Sequence, residues 1–246
     1  MKVLAINSSP HKDKGNTALI LTPFLEGMKE AGAEVELYYT LDLMINPCMG
    51  DHACQFKTPG KCIHSDDMQW LLPKVSQADV WVWATPLYGS GMTGTMKMFM
   101  DRLLPLADAS IEVRGGRLRH PSAAGRKKSK AVLVSTCGLP EIESFDPLIA
   151  HIKEKCANSD SEFAGALLRP AGPAMASMLK NGAPITDIFN AARDAGLQLA
   201  HDGKISGETL GIVSRPIISK EAMMQIVNQI AMKPVKNSVS TEDSQK

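Results

Sequence analysis

The stretch KVLAINSSP at residues 2–10, followed by GNT at residues 15–17, decides the fold because it leads from a strand into a helix. An apolar run ends in small hydroxyl residues, and a helical pattern begins after a polar loop. A turn of this kind presents backbone N–H groups and the positive end of a helix dipole to an anion. Four of its residues add side-chain donors: Ser8, Ser9, Asn16 and Thr17. The stretch predicts a phosphate-binding loop, although an ordinary helix N-terminus would use the same residues.

This first loop carries neither of the two common phosphate-binding motifs. It lacks the G-x-G-x-x-G of dinucleotide-binding proteins and the G-x-x-x-x-G-K-[ST] of nucleoside triphosphate-binding proteins. A loop rich in hydroxyl groups suits a phosphate monoester that is held by neutral donors.

Apolar runs alternate with helical patterns along the rest of the chain. Strands are predicted at 3–6, 34–39, 80–84, 131–135 and 162–168, and helices at 16–31, 66–77, 93–104, 145–156, 184–202 and 220–232. This alternation predicts an α/β fold with one parallel five-stranded sheet in the order 2-1-3-4-5 and helices on both faces. We expect one domain over residues 1–232 and a disordered tail over 233–246.

The composition narrows the class of protein. The chain has 246 residues, 44% of them hydrophobic, and a net charge of +1, which argues against a dedicated nucleic-acid or membrane-surface protein. No stretch reaches the length of a membrane span, and no export signal precedes the first strand. Five cysteines, an odd number, fit the reducing cytoplasm better than a disulfide framework.

The loops after the third and fourth strands should face the same edge of the sheet as the first loop. The loop at 85–94 has three glycines, one tyrosine and no charge, so it suits a flat aromatic group gripped by backbone amides. The loop at 135–138 adds hydroxyl and amide donors. A phosphate loop, a flat apolar slot and a further donor loop on one rim together suit flavin mononucleotide (FMN). A glycine-rich connection with a core-packed tyrosine is the plain alternative for the second loop.

The motifs SSP at 8–10, GNT at 15–17, TPLYG at 85–89 and MTG at 92–94, with Lys97, Asp101 and Arg102, resemble the flavodoxin-fold NAD(P)H-dependent FMN reductase family over residues 1–140. Within that family the chain most resembles the iron–sulfur flavoprotein branch. The resemblance implies a flavodoxin-like three-layer sandwich. It also implies FMN-binding residues in all three loops: Ser8, Ser9, Asn16, Thr17, Pro86, Leu87, Tyr88, Gly89, Met92, Thr93, Thr136, Cys137 and Gly138.

The resemblance further implies an enzyme that transfers a hydride from NAD(P)H to FMN and electrons onward to an acceptor such as a quinone, a flavin or another small molecule. An uncharged loop around the flavin favours hydride chemistry, and no general acid or base is needed. The alternative is an electron-transfer flavoprotein that relays electrons between protein partners. A third possibility is a binding protein for another phosphate ester.

Three cysteines lie in the irregular segment 45–65: Cys48, Cys54 and Cys62. The branch that the chain resembles carries four, in the pattern C-x2-C-x2-C-x4–7-C, and Asp51 stands at the missing second position. Three interpretations stay open. The cluster is lost and the segment serves as a lid or a subunit contact, a [4Fe–4S] cluster uses Asp51 or an external fourth ligand, or zinc binds with a nearby histidine.

The segment 105–129 is a basic excursion, which is most simply a solvated loop or a subunit contact. Together with the cysteine segment, it provides surface for a contact in which a second subunit completes the flavin site. We therefore expect a homodimer or homotetramer.

Overall fold

The computed structural model describes residues 1–232, which form a three-layer α/β sandwich around one five-stranded parallel sheet. The strands are β1 (Lys2–Asn7), β2 (Glu34–Tyr39), β3 (Val80–Pro86), β4 (Glu112–Arg114), β5 (Arg117–Arg119), β6 (Lys130–Thr136) and β7 (Glu162–Arg169). The main sheet has the order β2-β1-β3-β6-β7, and β4 and β5 form a separate hairpin. The predicted order 2-1-3-4-5 counts the same five sheet strands and is confirmed.

Helices cover both faces of the sheet. They are α1 (Asn16–Glu30), α2 (Ala53–Phe56), α3 (Met68–Gln77), α4 (Gly94–Asp101), α5 (Asp146–Asn158), α6 (Gly172–Lys180), α7 (Thr186–Asp202), α8 (Gly207–Ser214) and α9 (Lys220–Ala231). Side chains alternate along β1, so Val3 packs beneath α1 and α7, whereas Leu4 packs beneath α3, α4 and α5. Both faces of the central strands are apolar because both are covered.

The backbones of α1 and α7 approach each other closely at two glycines. A Cβ atom added at Gly27 would lie 2.0 Å from the carbonyl oxygen of Arg193, and one at Gly196 would lie 2.1 Å from that of Phe24. Neither position therefore admits a side chain without separating the helices. This contact holds the first helix of the chain against a helix from its second half.

The segment 105–129, predicted as a solvated loop or a subunit contact, is mostly exposed or half-buried but contains regular structure. It contains the β4–β5 hairpin, and Arg119 at its end is buried with 9% of its surface exposed. Three-residue strands rich in charged residues give no apolar alternation that a sequence pattern could reveal. Helices α6 and α8 were also not predicted. The predicted helix 93–104 is shorter, because α4 ends at Asp101 and a 3₁₀ turn follows at Leu104–Leu106.

Within residues 1–232, no helix combines the length and the apolar character needed to cross a bilayer. The tail predicted over residues 233–246 lies outside the described residues. The single-domain boundary at residue 232 stays a prediction.

Candidate functional site

A cleft of about 270 Å³ lies where β1, β3 and β6 end, which is the edge at which the sequence predicts a ligand. Nine of the thirteen predicted cofactor-binding residues line it. They are Ser9, Asn16, Thr17, Pro86, Leu87, Tyr88, Thr136, Cys137 and Gly138, joined by His11 and Pro173. Among the described residues that line the cleft, none is Lys, Arg, Asp or Glu.

The loop after β1 is held in shape by its own hydrogen bonds. The Ser9 N–H donates to Asn7 Oδ1 at 2.8 Å, and the His11 N–H donates to Ser9 Oγ at 3.3 Å. A Cβ atom at Gly15 would lie only 2.4 Å from Ser9 Oγ, so glycine allows the Ser9 hydroxyl to lie against the start of α1. The loop is therefore a compact turn that carries a hydroxyl group at the N-terminus of α1.

The start of α1 supplies donors that the helix itself does not use. The first N–H groups of a helix have no intrahelical acceptor, and no acidic residue lies in the first turn of α1. Thr17 Oγ1 lies 3.1 Å from Thr136 Oγ1, which ties the first loop to the loop after β6. The cleft can therefore hold an anion by neutral donors and the helix dipole.

The loop after β3 makes a tight turn that carries Tyr88. The Tyr88 N–H donates to the Gly91 carbonyl at 2.9 Å, and the Gly91 N–H donates back to Tyr88 at 3.0 Å. Gly89 and Ser90 between them both have positive φ, at 53° and 62°. The Leu87 N–H donates to the Thr136 carbonyl at 2.8 Å, so this loop is fixed to the loop after β6. Tyr88 remains 53% exposed at the rim of the cleft.

The loop after β6 packs against the start of α6. The Gly172 N–H donates to the Cys137 carbonyl at 2.8 Å, and a Cβ atom at Gly172 would lie 3.3 Å from Asn16 Cβ. Cys137 is buried, its Sγ donates to the Leu139 carbonyl at 3.1 Å, and burial raises the pKa of its thiol. A thiol of this kind is a packing group rather than a nucleophile.

Four predicted residues do not line the cleft. Ser8 is buried and donates through its N–H and its hydroxyl to the Ala84 carbonyl, so it fixes the loop to β3. Thr93 is also buried and caps α4 by accepting the Met96 N–H. Met92 packs on the core beneath α4, and Gly89 forms the turn beside Tyr88. These residues position the loops that line the cleft.

Two residues of the cleft were not predicted. His11 follows Pro10 in the first loop, and its place in that loop was the available signal. Pro173 lies in the first turn of α6, a helix that the sequence pattern did not reveal.

The three cysteines of the segment 45–65 line one small cavity at the end of α4, together with Asp51, His52 and His64. Cys48 is exposed, Cys54 is buried and Cys62 is half-buried. Burial and the neighbouring cysteines raise the pKa of the Cys54 thiol. Within residues 1–232, no group of three or more His, Cys, Asp or Glu side chains is arranged to hold a metal ion. The side chains as they lie do not fit a cluster or zinc, and metal binding by these cysteines stays a prediction.

A buried ion pair fixes both ends of the cysteine segment. Arg102 donates to both carboxylate oxygens of Asp66, at 2.6 and 3.1 Å, and to the Asn46 carbonyl at 2.6 Å. The Asp66 carboxylate also accepts the Asn46 N–H at 2.9 Å and the Met68 N–H at 3.2 Å. Although burial alone would raise it, these hydrogen bonds lower the pKa of Asp66 to about 2. The clamp is structural and holds the segment whether or not it carries a metal.

A three-layer sandwich with an uncharged, donor-lined cleft at the carboxyl edge of its sheet defines a flavodoxin-like nucleotide-binding protein. Residues 1–133, just over half of the chain, match the family described as NADPH-dependent FMN reductase. The chain belongs to this family. The predicted family and the cofactor FMN are thereby confirmed.

Individual proteins with a similar sequence agree with the family match. An iron–sulfur flavoprotein of Methanocaldococcus jannaschii is 39% identical over 106 residues, 43% of this chain and 53% of that protein. An iron–sulfur flavoprotein of Archaeoglobus fulgidus is 32% identical over 141 residues, 57% of this chain and 58% of that protein. The chain thus spans a little over half the length of these relatives. Their names support the predicted branch.

Solved structures share the fold at low sequence identity. An NAD(P)H:quinone oxidoreductase from Methanothermobacter marburgensis has a TM-score of 0.59 at 16% identity, covering 82% of this chain and 96% of that one. An azoreductase from Bacillus anthracis has a TM-score of 0.58 at 14% identity, covering 82% and 99%. At these identities the likeness extends to the fold alone.

Proposed function

We propose that the protein is an FMN-dependent oxidoreductase that takes a hydride from NAD(P)H and passes electrons to a small-molecule acceptor such as a quinone or a flavin. The observation that carries this proposal is the neutral cleft formed by three loops at one sheet edge, in a member of the FMN reductase family. FMN supplies the hydride-accepting chemistry, and the protein supplies position and electrostatics.

We assign the phosphate of FMN to the first loop. Ser9, Asn16 and Thr17 offer hydroxyl and amide donors beside the free N–H groups at the start of α1. The close contact between Gly15 and the Ser9 hydroxyl supports this assignment, because it leaves the N-terminus of α1 open to a ligand. A phosphate monoester suits this set, since helix N-termini favour anions without needing a cation.

We assign the flavin ring to the turn at Pro86–Gly89 and to the loop at Thr136–Gly138. Backbone N–H groups in an uncharged loop can stabilise the negative charge that develops on reduction. No acid–base residue is assigned, because the hydride needs no protein proton carrier to reach the ring. Tyr88, at the exposed rim, lies where a nicotinamide, an acceptor or a second subunit could cover the ring.

The acceptor, the assembly and the compartment follow as parts of the same proposal. Relatives of the fold include proteins named as quinone and azo reductases, which supports a small-molecule acceptor. A homodimer or homotetramer would cover the open side of the cleft. A cytoplasmic location agrees with the five free cysteines.

An absorption spectrum taken before and after anaerobic addition of NADPH or NADH tests the proposal. The protein should carry FMN, and the flavin band near 450 nm should bleach with either donor and return when a quinone is added. Absence of bound flavin, or a band that neither donor bleaches, would overturn the proposal.

The second candidate function is electron transfer between protein partners. It is favoured by the printed names of the relatives, which are iron–sulfur flavoproteins, and by the convergence of three cysteines on one cavity. Iron and sulfide analysis of anaerobically purified protein distinguishes the two. Near-stoichiometric iron with bleaching only through a reductase protein would favour the relay.

A further inference from the structure

The basic segment 105–129 forms one wall of a second cavity, of about 280 Å³, that the proposed function does not use. We name this cavity the basic pocket. Its lining includes Trp81 of β3, Leu103 and Leu106 after α4, Leu118 to Ser122 and Arg126 of the basic segment, and Lys155 and Asn158 of α5. Trp81 and Pro86 lie five residues apart on β3, so about 17 Å of strand separates the basic pocket from the flavin cleft.

Three cations line the basic pocket: Arg119, Arg126 and Lys155. Of these three, only Arg119 forms an ion pair within residues 1–232, with Glu154 at 3.2 Å. The Arg126 guanidinium lies 5.3 Å from the centre of the Trp81 ring and donates to Ser122 Oγ at 2.6 Å. Within residues 1–232, Arg126 makes no ion pair and its buried Nε has no hydrogen-bond partner. The Arg126 guanidinium also donates to the Ser159 carbonyl, but neither Arg126 nor Lys155 has a carboxylate partner in the described part of the chain.

Lys155 is the more exceptional of these two cations. Over the described residues, its ammonium group makes neither an ion pair nor a hydrogen bond, and its side chain is half-buried. Burial, with the Arg126 charge nearby, lowers the pKa of Lys155 to about 8. Burial also lowers the pKa of Arg126. A half-buried charge without a counter-charge carries a desolvation cost, which a bound anion would offset.

Seven of the other eleven lining residues are apolar, and the remaining four are His120, Ser122, Asn158 and Ser159. Leu103, Leu104, Leu106 and Pro121 surround the cations and offer a surface for a hydrophobic group. A cavity with an apolar wall and a few converging polar groups is the usual form of a small-molecule site.

We propose that the basic pocket binds a small organic dianion with an apolar body, whose two charges neutralise Arg126 and Lys155. A phosphate monoester and a dicarboxylate share this chemistry. The pocket lies at the amino-terminal edge of the sheet, so its ligand is distinct from FMN and from the nicotinamide donor.

Titration calorimetry on the FMN-loaded protein at pH 7 tests the proposal, with phenyl phosphate, phthalate, inorganic phosphate and phenol as probes. Phenyl phosphate or phthalate should bind, and whichever binds more tightly identifies the acid group. Phenol should bind at least 10-fold more weakly than either. Equal binding of inorganic phosphate would contradict the apolar requirement, and no binding of either organic dianion would overturn the proposal.

Two variants assign the binding to the basic pocket. Lys155→Met should weaken the organic dianion at least 10-fold, whereas Lys153→Met, on the same helix but outside the lining, should leave it unchanged. Leu118→Asn alters an exposed wall residue and should weaken phenyl phosphate without changing inorganic phosphate. Unchanged affinity in both the Lys155 and the Leu118 variants would place the ligand elsewhere. The flavin spectrum should not shift on binding, which separates this result from failure of the FMN proposal.

Discussion

The two edges of the sheet carry different kinds of groups that can bind an anion. At the carboxyl edge, the cleft contains no charged lysine, arginine, aspartate or glutamate among its described lining residues and relies on hydroxyl, backbone and helix-dipole donors. At the amino-terminal edge, the basic pocket relies on cationic side chains, two of which lack a carboxylate partner among the described residues. Neutral donors fixed by the backbone give directional recognition, whereas uncompensated cations give attraction that depends on salt and pH. The comparison yields four tests.

The largest expected effect is at Gly15. In Gly15→Ala, the new Cβ would force Ser9 Oγ from its place and break its hydrogen bond with the His11 N–H. We expect the dissociation constant of FMN to rise about 30- to 100-fold, or about 2–3 kcal/mol. Fluorescence titration of apoprotein with FMN measures it.

Gly211→Ala is the matched control, because a Cβ at Gly211 meets no atom within 4 Å. Its affinity for FMN should equal that of the wild type. An unchanged affinity in Gly15→Ala would mean that the phosphate does not lie against this loop.

The next largest effect is expected at Lys155, where a substitution should change the free energy of unfolding. Because the pKa of Lys155 is lowered to about 8 in the folded protein, against about 10.4 in the unfolded chain, its protonation favours unfolding. Lys155→Met should raise the free energy of unfolding by about 1–3 kcal/mol at pH 7. This gain should shrink from pH 8 to about 10.4, as the wild-type lysine becomes neutral in both states.

Urea unfolding of the two proteins across that pH range measures the difference. Lys153→Met, which changes an exposed residue of α5, is the control and should show no such pH-dependent gain. A gain that stays constant with pH would indicate better packing rather than removal of a charge.

A smaller effect is expected at Thr17. Thr17→Val keeps the shape of the side chain but removes the hydroxyl that lies 3.1 Å from Thr136 Oγ1 and faces the cleft. Loss of one neutral hydrogen bond should weaken FMN about 5- to 10-fold, or about 1 kcal/mol. Thr186→Val at the start of α7, outside the cleft, provides the comparison.

The smallest expected effect is that of salt on FMN. Raising NaCl from 0.05 to 0.5 M should change the FMN dissociation constant less than about 2-fold, because no lysine or arginine of the described part of the chain lines the cleft. In the same experiment, organic dianion binding to the basic pocket should weaken several-fold. A steep salt dependence for FMN would show that a cation outside the lining, such as Lys14, takes part.

The sheet order and the three loops could be predicted because the sequence carries them locally. Buried parallel strands read as apolar runs, and the site of such a sheet lies at its carboxyl edge. Nine of the thirteen predicted residues line the cleft for this reason. Ser8 and Thr93 were placed in the site because they share its loops, yet their polar groups bond to Ala84 and Met96. No local pattern shows to which side of a loop a hydroxyl group turns.

The basic pocket could not be predicted, because its residues come from four separate parts of the chain. Arg126 lies in the segment that was predicted as a basic excursion, and Lys155 lies near the end of the predicted helix 145–156. Only the folded chain brings them together above Trp81. Pro173 was not predicted for a similar reason, since α6 is short and follows β7 almost directly.

The close crossing of α1 and α7 has a consequence for protein engineering. The family match ends at residue 133, yet the helix that carries Asn16 and Thr17 is seated on Gly196, 63 positions beyond that limit. A chimera that exchanges only residues 1–133 would pair α1 of one protein with α7 of another. The contact surfaces of these two helices would not have evolved together. Gly27 and Gly196 should therefore be transplanted as a pair. A chain shortened to the matched portion should lose the helix that supports α1 and the loop to which we assign the FMN phosphate.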